Sequence, residues 1–282
     1  MNSEFEEKTY ESYLTSELAK KHRLFSPGQV LEKIVGFDVA LKTNKKYFLK
    51  LFPHIFWVDK LNGITLKPEW WSEIEKQTER FPKFKFNCFI QAKRPEKLKG
   101  KRSAEYSYWN KPYFRFDTFA TQQQALILLA QRTSGRALVV YACPAFHTNK
   151  DLWESCYQNR LVKKSNFCEV EKLKGHRRYS FVSPGNLGIA HSEPTPIESQ
   201  SFELALEGFQ DLSPHESNLA FLKETVEDMD SATKQMGELR KAYYFWASRF
   251  FEKENAELAR LLAKIYSFQL VCNVQLLIGY DL

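Results

Sequence analysis

Four polar residues stand in or beside runs of sequence that otherwise read as apolar and regular. Asp38 sits in the strand-like run Phe37–Leu41 (FDVAL), and Glu32 precedes it by six residues. Gln91 and Lys93 follow the apolar run Phe86–Ile90, within the stretch FIQAKRPE. Lysine is among the residues least often buried, because its ammonium loses hydration that only a partner restores. Either the strand ends here and Lys93 stands in water, or Lys93 points into a polar site. Residues two apart on a strand leave the same face, so Gln91 and Lys93 act together. If the two strands are neighbours, Asp38, Gln91 and Lys93 converge at one sheet edge, with Glu32 reaching in from a helix. That set suits metal-assisted phosphodiester hydrolysis. Mg²⁺ (or Mn²⁺) takes a few hard oxygen ligands and keeps several waters. Asp38 supplies the charge and Gln91 a carbonyl oxygen, while Lys93 orients or helps deprotonate the attacking water and neutralises charge developing at phosphorus.

The surrounding elements must deliver these groups. Thr9 to His22 has helical spacing. Ser26-Pro27-Gly28 reads as the start of a short helix that ends at Gly36, followed by the strand Phe37–Leu41, a turn at Asn44-Lys45-Lys46 and a strand over Tyr47–Phe52. A helix is expected over Pro68–Arg80, with acids in its first turn, and a third strand over Phe86–Ala92. Lys97–Lys111 is a basic loop and Tyr113–Phe119 a further strand. Gln122–Arg132 is a helix with Ala125, Leu128 and Leu129 facing inward. Ala137–Ala142 (ALVVYA) is apolar enough for the middle of a sheet. Short strand-like runs follow at Phe167–Leu173 and Tyr179–Val182. His191–Ser201 (HSEPTPIESQS) is the best linker candidate, and helical spacing from Leu219 through Met229 and Phe250 runs nearly to the end. The predicted fold class is α/β, a mixed sheet flanked by helices, with an α-helical C-terminal extension. The division expected is residues 1–197 and 198–282.

Taken together, Glu32…Gly36-Phe37-Asp38…Gln91-Ala92-Lys93 resembles the core of the PD-(D/E)XK (restriction-endonuclease-like) nuclease superfamily, in the glutamine-bearing version seen in Mrr-like endonucleases. The order helix, strand, strand, strand, helix, strand from about Ser26 to Ala142 is similar to that fold. The resemblance implies Asp38 and Gln91 at the metal, Lys93 as the catalytic lysine and Glu32 as an accessory acid, with Gln122 or Gln124 as a further polar contact. It also implies an Mg²⁺- or Mn²⁺-dependent nuclease, in company with bacterial restriction or anti-phage defence. Gly-Phe replaces the proline usual before the aspartate, and the 53 residues from Asp38 to Gln91 require the Pro68–Arg80 helix as an insertion.

Charge is unevenly placed. Residues 1–197 carry 33 Lys and Arg against 20 Asp and Glu, whereas residues 198–282 carry 8 against 14. Lys93–Arg115 alone holds 8 basic and 2 acidic residues. A basic body points to a polyanion partner, although a charge run by itself equally describes a solvated loop. Candidate phosphate contacts are Arg94, Lys97, Lys99, Lys101, Arg102 and Arg115, with His176-Arg177-Arg178 as a second basic spot. Tyr106, Tyr108, Trp109 and Tyr113 follow closely, and aromatic rings interleaved with cations suit nucleic acid, for which the nuclease resemblance implies DNA before RNA. The rival expectation is a non-catalytic nucleic-acid-binding or assembly protein that keeps the fold, since glutamine in place of an acid weakens metal binding. The C-terminal helices would serve a homo-oligomer or a protein partner.

Other chemistries are weaker. No run approaches the ~18 consecutive apolar residues of a membrane span. The acidic N-terminus, MNSEFEEKTYESYL, does not read as a secretory signal, so a cytoplasmic location is expected. Five cysteines include no C-x-x-C and no zinc-type spacing. Cys143 and His147 suggest a cysteine hydrolase only if something lowers the thiol pKa, and nothing in the sequence does. No G-x-x-x-x-G-K-[ST] or G-x-G-x-x-G loop is present.

Overall fold

The computed structural model describes residues 1–22, 24–27, 68–133, 135–250 and 256–281. The expected helix after Ser26, the strands at residues 37–41 and 47–52, and with them Glu32 and Asp38, lie outside the described residues.

A helix α1 (Glu7–Lys21) and a two-residue strand β1 (Leu24–Phe25) open the chain. Helix α2 (Pro68–Arg80) has the bounds expected from its Lys67-Pro68-Glu69 start, where proline occupies the first turn without losing a needed N–H. Strand β2 (Phe84–Ala92) follows, then β3 (Glu96–Leu98), the one-turn helix α3 (Tyr106–Trp109) and β4 (Tyr113–Asp117). Helix α4 (Ala120–Thr133) leads into β5 (Ala137–Pro144), α5 (Asn149–Tyr157) and β6 (Ser165–Glu169). Strands β7 (Arg178–Phe181), β8 (Leu187–His191) and β9 (Thr195–Glu198) precede helices α6 (Phe202–Gln210), α7 (Asn218–Thr233), α8 (Gly237–Arg249) and α9 (Glu257–Cys272). The last described element is β10 (Gln275–Tyr280).

The strands form two sheets, both of five strands among the described residues. One is mixed, in the order β1-β10-β2-β5-β6, with β2 and β5 parallel and the other neighbours antiparallel. The other is antiparallel, in the order β3-β4-β7-β8-β9. The protein is therefore a mixed α/β protein in which α7, α8 and α9 pack together.

Strands β2 and β5 are buried on both faces, which explains why each reads as a continuous apolar run. On one side Phe89, Val139 and Tyr141 meet Leu126, Leu129, Met229, Ile265 and Phe268 from α4, α7 and α9. On the other, Cys88, Ile90, Val140 and Ala142 meet Tyr10, Leu14 and Leu18 of α1 and Phe202 and Leu206 of α6. The same first core joins the two sheets: Phe116 of β4 lies 5.5 Å, centroid to centroid, from both Tyr141 of β5 and Tyr179 of β7.

Three expectations are corrected. The sequence implied one sheet, and the structure has a second. His191–Ser201 is not a linker: β8 and β9 form a hairpin there, with Pro196 on an edge strand, where a missing N–H costs no ladder bond. The C-terminal region is not helical throughout. Asn273 adopts the left-handed conformation (φ 48°), a common way to stop a helix, and β10 then lies between β1 and β2.

Candidate functional site

The site is built at the carboxyl ends of β2 and β5. The parallel ladder pairs Gln91 with Tyr141 and Ala92 with Ala142, and the Lys93 N–H adds a last bond to the Ala142 carbonyl at 2.8 Å. Pro95 lacks the N–H needed to continue. Strand alternation places Gln91 and Lys93 on the face of Phe89, Tyr141 and Cys143, under the first turn of α4. The two residues thus leave one face, as expected.

Gln91 is 1% exposed. Its Nε2 donates to the Cys272 carbonyl at 2.6 Å and to Gln122 Oε1 at 3.3 Å, while Gln122 Nε2 donates to the Val271 carbonyl at 3.1 Å. The two glutamines therefore satisfy carbonyls of the last turn of α9, which no later helical amide can reach. Two acceptors on the nitrogen side orient the Gln91 amide, and its Oε1 receives no hydrogen bond among the described residues.

Lys93 is 5% exposed, and its ammonium makes no hydrogen bond or ion pair among the described residues. Its Nζ lies 5.4 Å from the Tyr141 ring centroid and 5.7 Å from that of Phe119. Such cation–ring contacts offset part of the lost hydration. Burial pushes the ammonium below the ordinary lysine range, and the nearby negative charges of Glu7 and Asp117 oppose that shift.

Glu7 was not singled out by sequence, and nothing in EFEEK marks it. In the first turn of α1, its Oε1 accepts from Asn273 Nδ2 at 2.7 Å and its Oε2 from the Arg94 N–H at 3.2 Å. Phe119 was also missed. It is 70% exposed, and its carbonyl accepts the Gln123 N–H at 2.8 Å to open α4.

The basic residues divide into two groups. Arg94 braces the N-terminal segment, with Nε donating to Ser3 Oγ at 3.0 Å and Nη2 to the Ser3 carbonyl at 2.5 Å. Arg115 donates to Glu96 at 2.7 Å and to Glu105 at 3.1 Å. Lys97 lies over the Phe114 ring at 5.3 Å. Lys99, Lys101 and Arg102 are exposed in the loop between β3 and α3. The buried Glu105 holds that loop down: it accepts from Tyr113 Oη at 2.6 Å and pairs with Arg115 and with Arg178 at 3.0 Å. Trp109 Nε1 adds a bond to Ser180 Oγ at 2.9 Å. Arg178 also pairs with Asp117 at 2.7 Å.

Cys143 is fully buried and its thiol is pushed up by desolvation, the opposite of what a nucleophile needs. Among the described residues, no three His, Cys, Asp or Glu side chains gather where they could hold a metal ion. Of the metal-ligand candidates expected from sequence, Gln91 falls among the described residues, and its Oε1 accepts no hydrogen bond there. No described helix is long and apolar enough to cross a membrane. Comparison with family models, with curated proteins and with solved structures found no match for this chain.

Proposed function

We propose that the protein is a metal-dependent nuclease, with the parallel pair β2–β5 and the helix α4 as part of a restriction-endonuclease-like core. The observation that carries this reading is Lys93. Its side chain is buried, its ammonium has no ionic partner among the described residues, and it shares one sheet face with a glutamine whose Oε1 accepts no hydrogen bond there. Such a lysine is costly unless something anionic arrives to use it.

In this reading Lys93 stabilises charge developing on the phosphoryl oxygens and helps remove a proton from the attacking water, for which a lowered pKa is an advantage. Asp38 and Gln91 would hold Mg²⁺ or Mn²⁺, whose positive charge would polarise the phosphate, and Glu32 would be the accessory acid. Lys99, Lys101 and Arg102 would meet the backbone of the nucleic acid without reading its sequence.

A second reading has its own support. The Gln91 amide already serves the end of α9, a structural use that a non-catalytic nucleic-acid-binding protein would equally retain. Incubation with plasmid, linear duplex, single-stranded DNA and RNA, with Mg²⁺, Mn²⁺ or EDTA, separates the two. Metal-dependent cleavage lost in both Lys93→Ala and Asp38→Ala is the expected result. Nucleic-acid binding with no cleavage under any condition would replace the nuclease with the binding protein.

A further inference from the structure

Helix α4 begins in an unusual way for a helix that meets the site. The residue whose carbonyl opens it, Phe119, has no side-chain acceptor, and no acidic residue occupies the first turn. Among the described residues, no side chain or backbone group caps the amides of Ala120, Thr121 and Gln122. A 14-residue helix thus presents its positive end without a counter-charge among the described residues. Independently, the nine-tenths-buried Lys93 places its ammonium 5.7 Å from the ring of Phe119, the residue that opens this helix, with no ionic partner among the described residues. Both features lie at the Phe119 end of α4, and both favour an anion. Among the described residues, the two carboxylates whose charge acts on Lys93 are engaged elsewhere: Glu7 with Asn273 and the Arg94 amide, and Asp117 with Arg178.

Phe119 adds a second requirement. An apolar ring left 70% exposed beside a buried cation is in place to receive a flat partner, and its loss would cost the fold little. Bases paired inside a duplex present only their edges, whereas an unpaired base offers its face.

We propose that the first turn of α4, Lys93 and Phe119 together bind one nucleotide of a single-stranded nucleic acid, with its phosphate on the Ala120–Gln122 amides and the Lys93 ammonium and its base stacked on Phe119. The inference rests on the nuclease reading for the use made of that phosphate, and it names the substrate as unpaired strand and not duplex.

The test is equilibrium binding of the full chain in EDTA, where no metal-dependent cleavage occurs. Fluorescein-labelled oligothymidylate is compared with a duplex of the same length by anisotropy, and oligonucleotides carrying 2-aminopurine report stacking. Single strands should bind tighter than duplex, and Phe119→Ala should weaken single-strand binding roughly 5- to 100-fold and abolish the 2-aminopurine quenching. Phe119→Trp should restore both. Equal affinity for duplex and single strand, or no effect of Phe119→Ala, overturns the inference even if the protein cleaves DNA. Phe119-dependent binding of single strands by a protein that cleaves nothing supports this site and removes the nuclease reading instead.

Discussion

Gln91 Nε2 and the Cys272 carbonyl are joined at 2.6 Å, so the middle strand of the mixed sheet is fastened to the end of a helix 181 residues later in sequence. The position accepts an amide because it needs a donor on one side. Gln91→Glu puts a carboxylate against the Cys272 carbonyl and Gln122 Oε1. We expect that variant to lose roughly 2–4 kcal/mol at neutral pH, and more than Gln91→Ala. Its carboxyl should have a raised pKa. The penalty is present above that pKa and fades as pH falls and the group gains a proton to donate. Urea unfolding at pH 7 and pH 5 reads both effects, and equal stability of Gln91→Glu and wild type would refute the donor role.

Lys93 sets a second expectation. Its folded pKa lies below its unfolded one, so the unfolded chain binds more protons between the two values, and stability rises with pH across that window. The ammonium is therefore a burden at neutral pH that lightens toward pH 10. Lys93→Met keeps the stem and removes the charge. It should stabilise the protein by about 1–3 kcal/mol at pH 7, with the gain shrinking as the pH approaches 10. Thermal unfolding of the pair at the two pH values checks this, and a loss of stability at pH 7 would mean that Lys93 has a native counter-charge.

Glu105 behaves in the opposite sense. Burial alone would raise its carboxyl, but the hydrogen bonds from Tyr113 and Arg178 and the charges of Arg115 and Arg178 hold it below the usual range. Its contribution is present above the unfolded value near 4.3 and is lost as pH falls through the folded one. Glu105→Gln should cost roughly 2–3 kcal/mol at pH 7 and give a flatter stability curve below about pH 4. Because Glu105 fixes the loop that carries Lys99, Lys101 and Arg102, protease cleavage at those residues should speed up in the variant. Unchanged cleavage would show that Trp109 holds the loop alone.

Gly279 of β10 faces Phe86 of β2 in a register where a methyl group would strike the Phe86 ring. Gly279→Ala should cost about 1–3 kcal/mol through overpacking. The double variant with Phe86→Leu should recover part of that loss, which denaturant midpoints measure directly. Additive losses would place the strain elsewhere.

Much of the frame was legible because its signals are local. The helix Pro68–Arg80 declared itself by proline and acids, and β2 and β5 by apolar runs bounded by Pro, Gly or charge. Helix α4 was visible through Ala125 and Leu129. The hairpin of β8 and β9 was hidden by Pro194 and Pro196, which read as linker until the edge position of β9 is known. Strand β10 was hidden by its neighbour, since apolar residues run on from α9 with only Asn273 to mark the break. In the site, the shared face of Gln91 and Lys93 followed from strand period alone. Glu7 and Phe119 did not, because their proximity to Lys93 is made by separate chain segments, and no spacing rule reports that.

The position of β10 also orders events in time. Strand β2 is complete by residue 92, yet its antiparallel neighbour is synthesised about 185 residues later. Until the ribosome has released residues 275–280, β2 has one open edge of unpaired amides and carbonyls, and Gln91 has no α9 carbonyl to hold. A nascent chain that carries β2 without residues 275–280 therefore exposes an adhesive strand edge. Closure of this edge and the bond that orients Gln91 therefore arrive together, with α9 and β10.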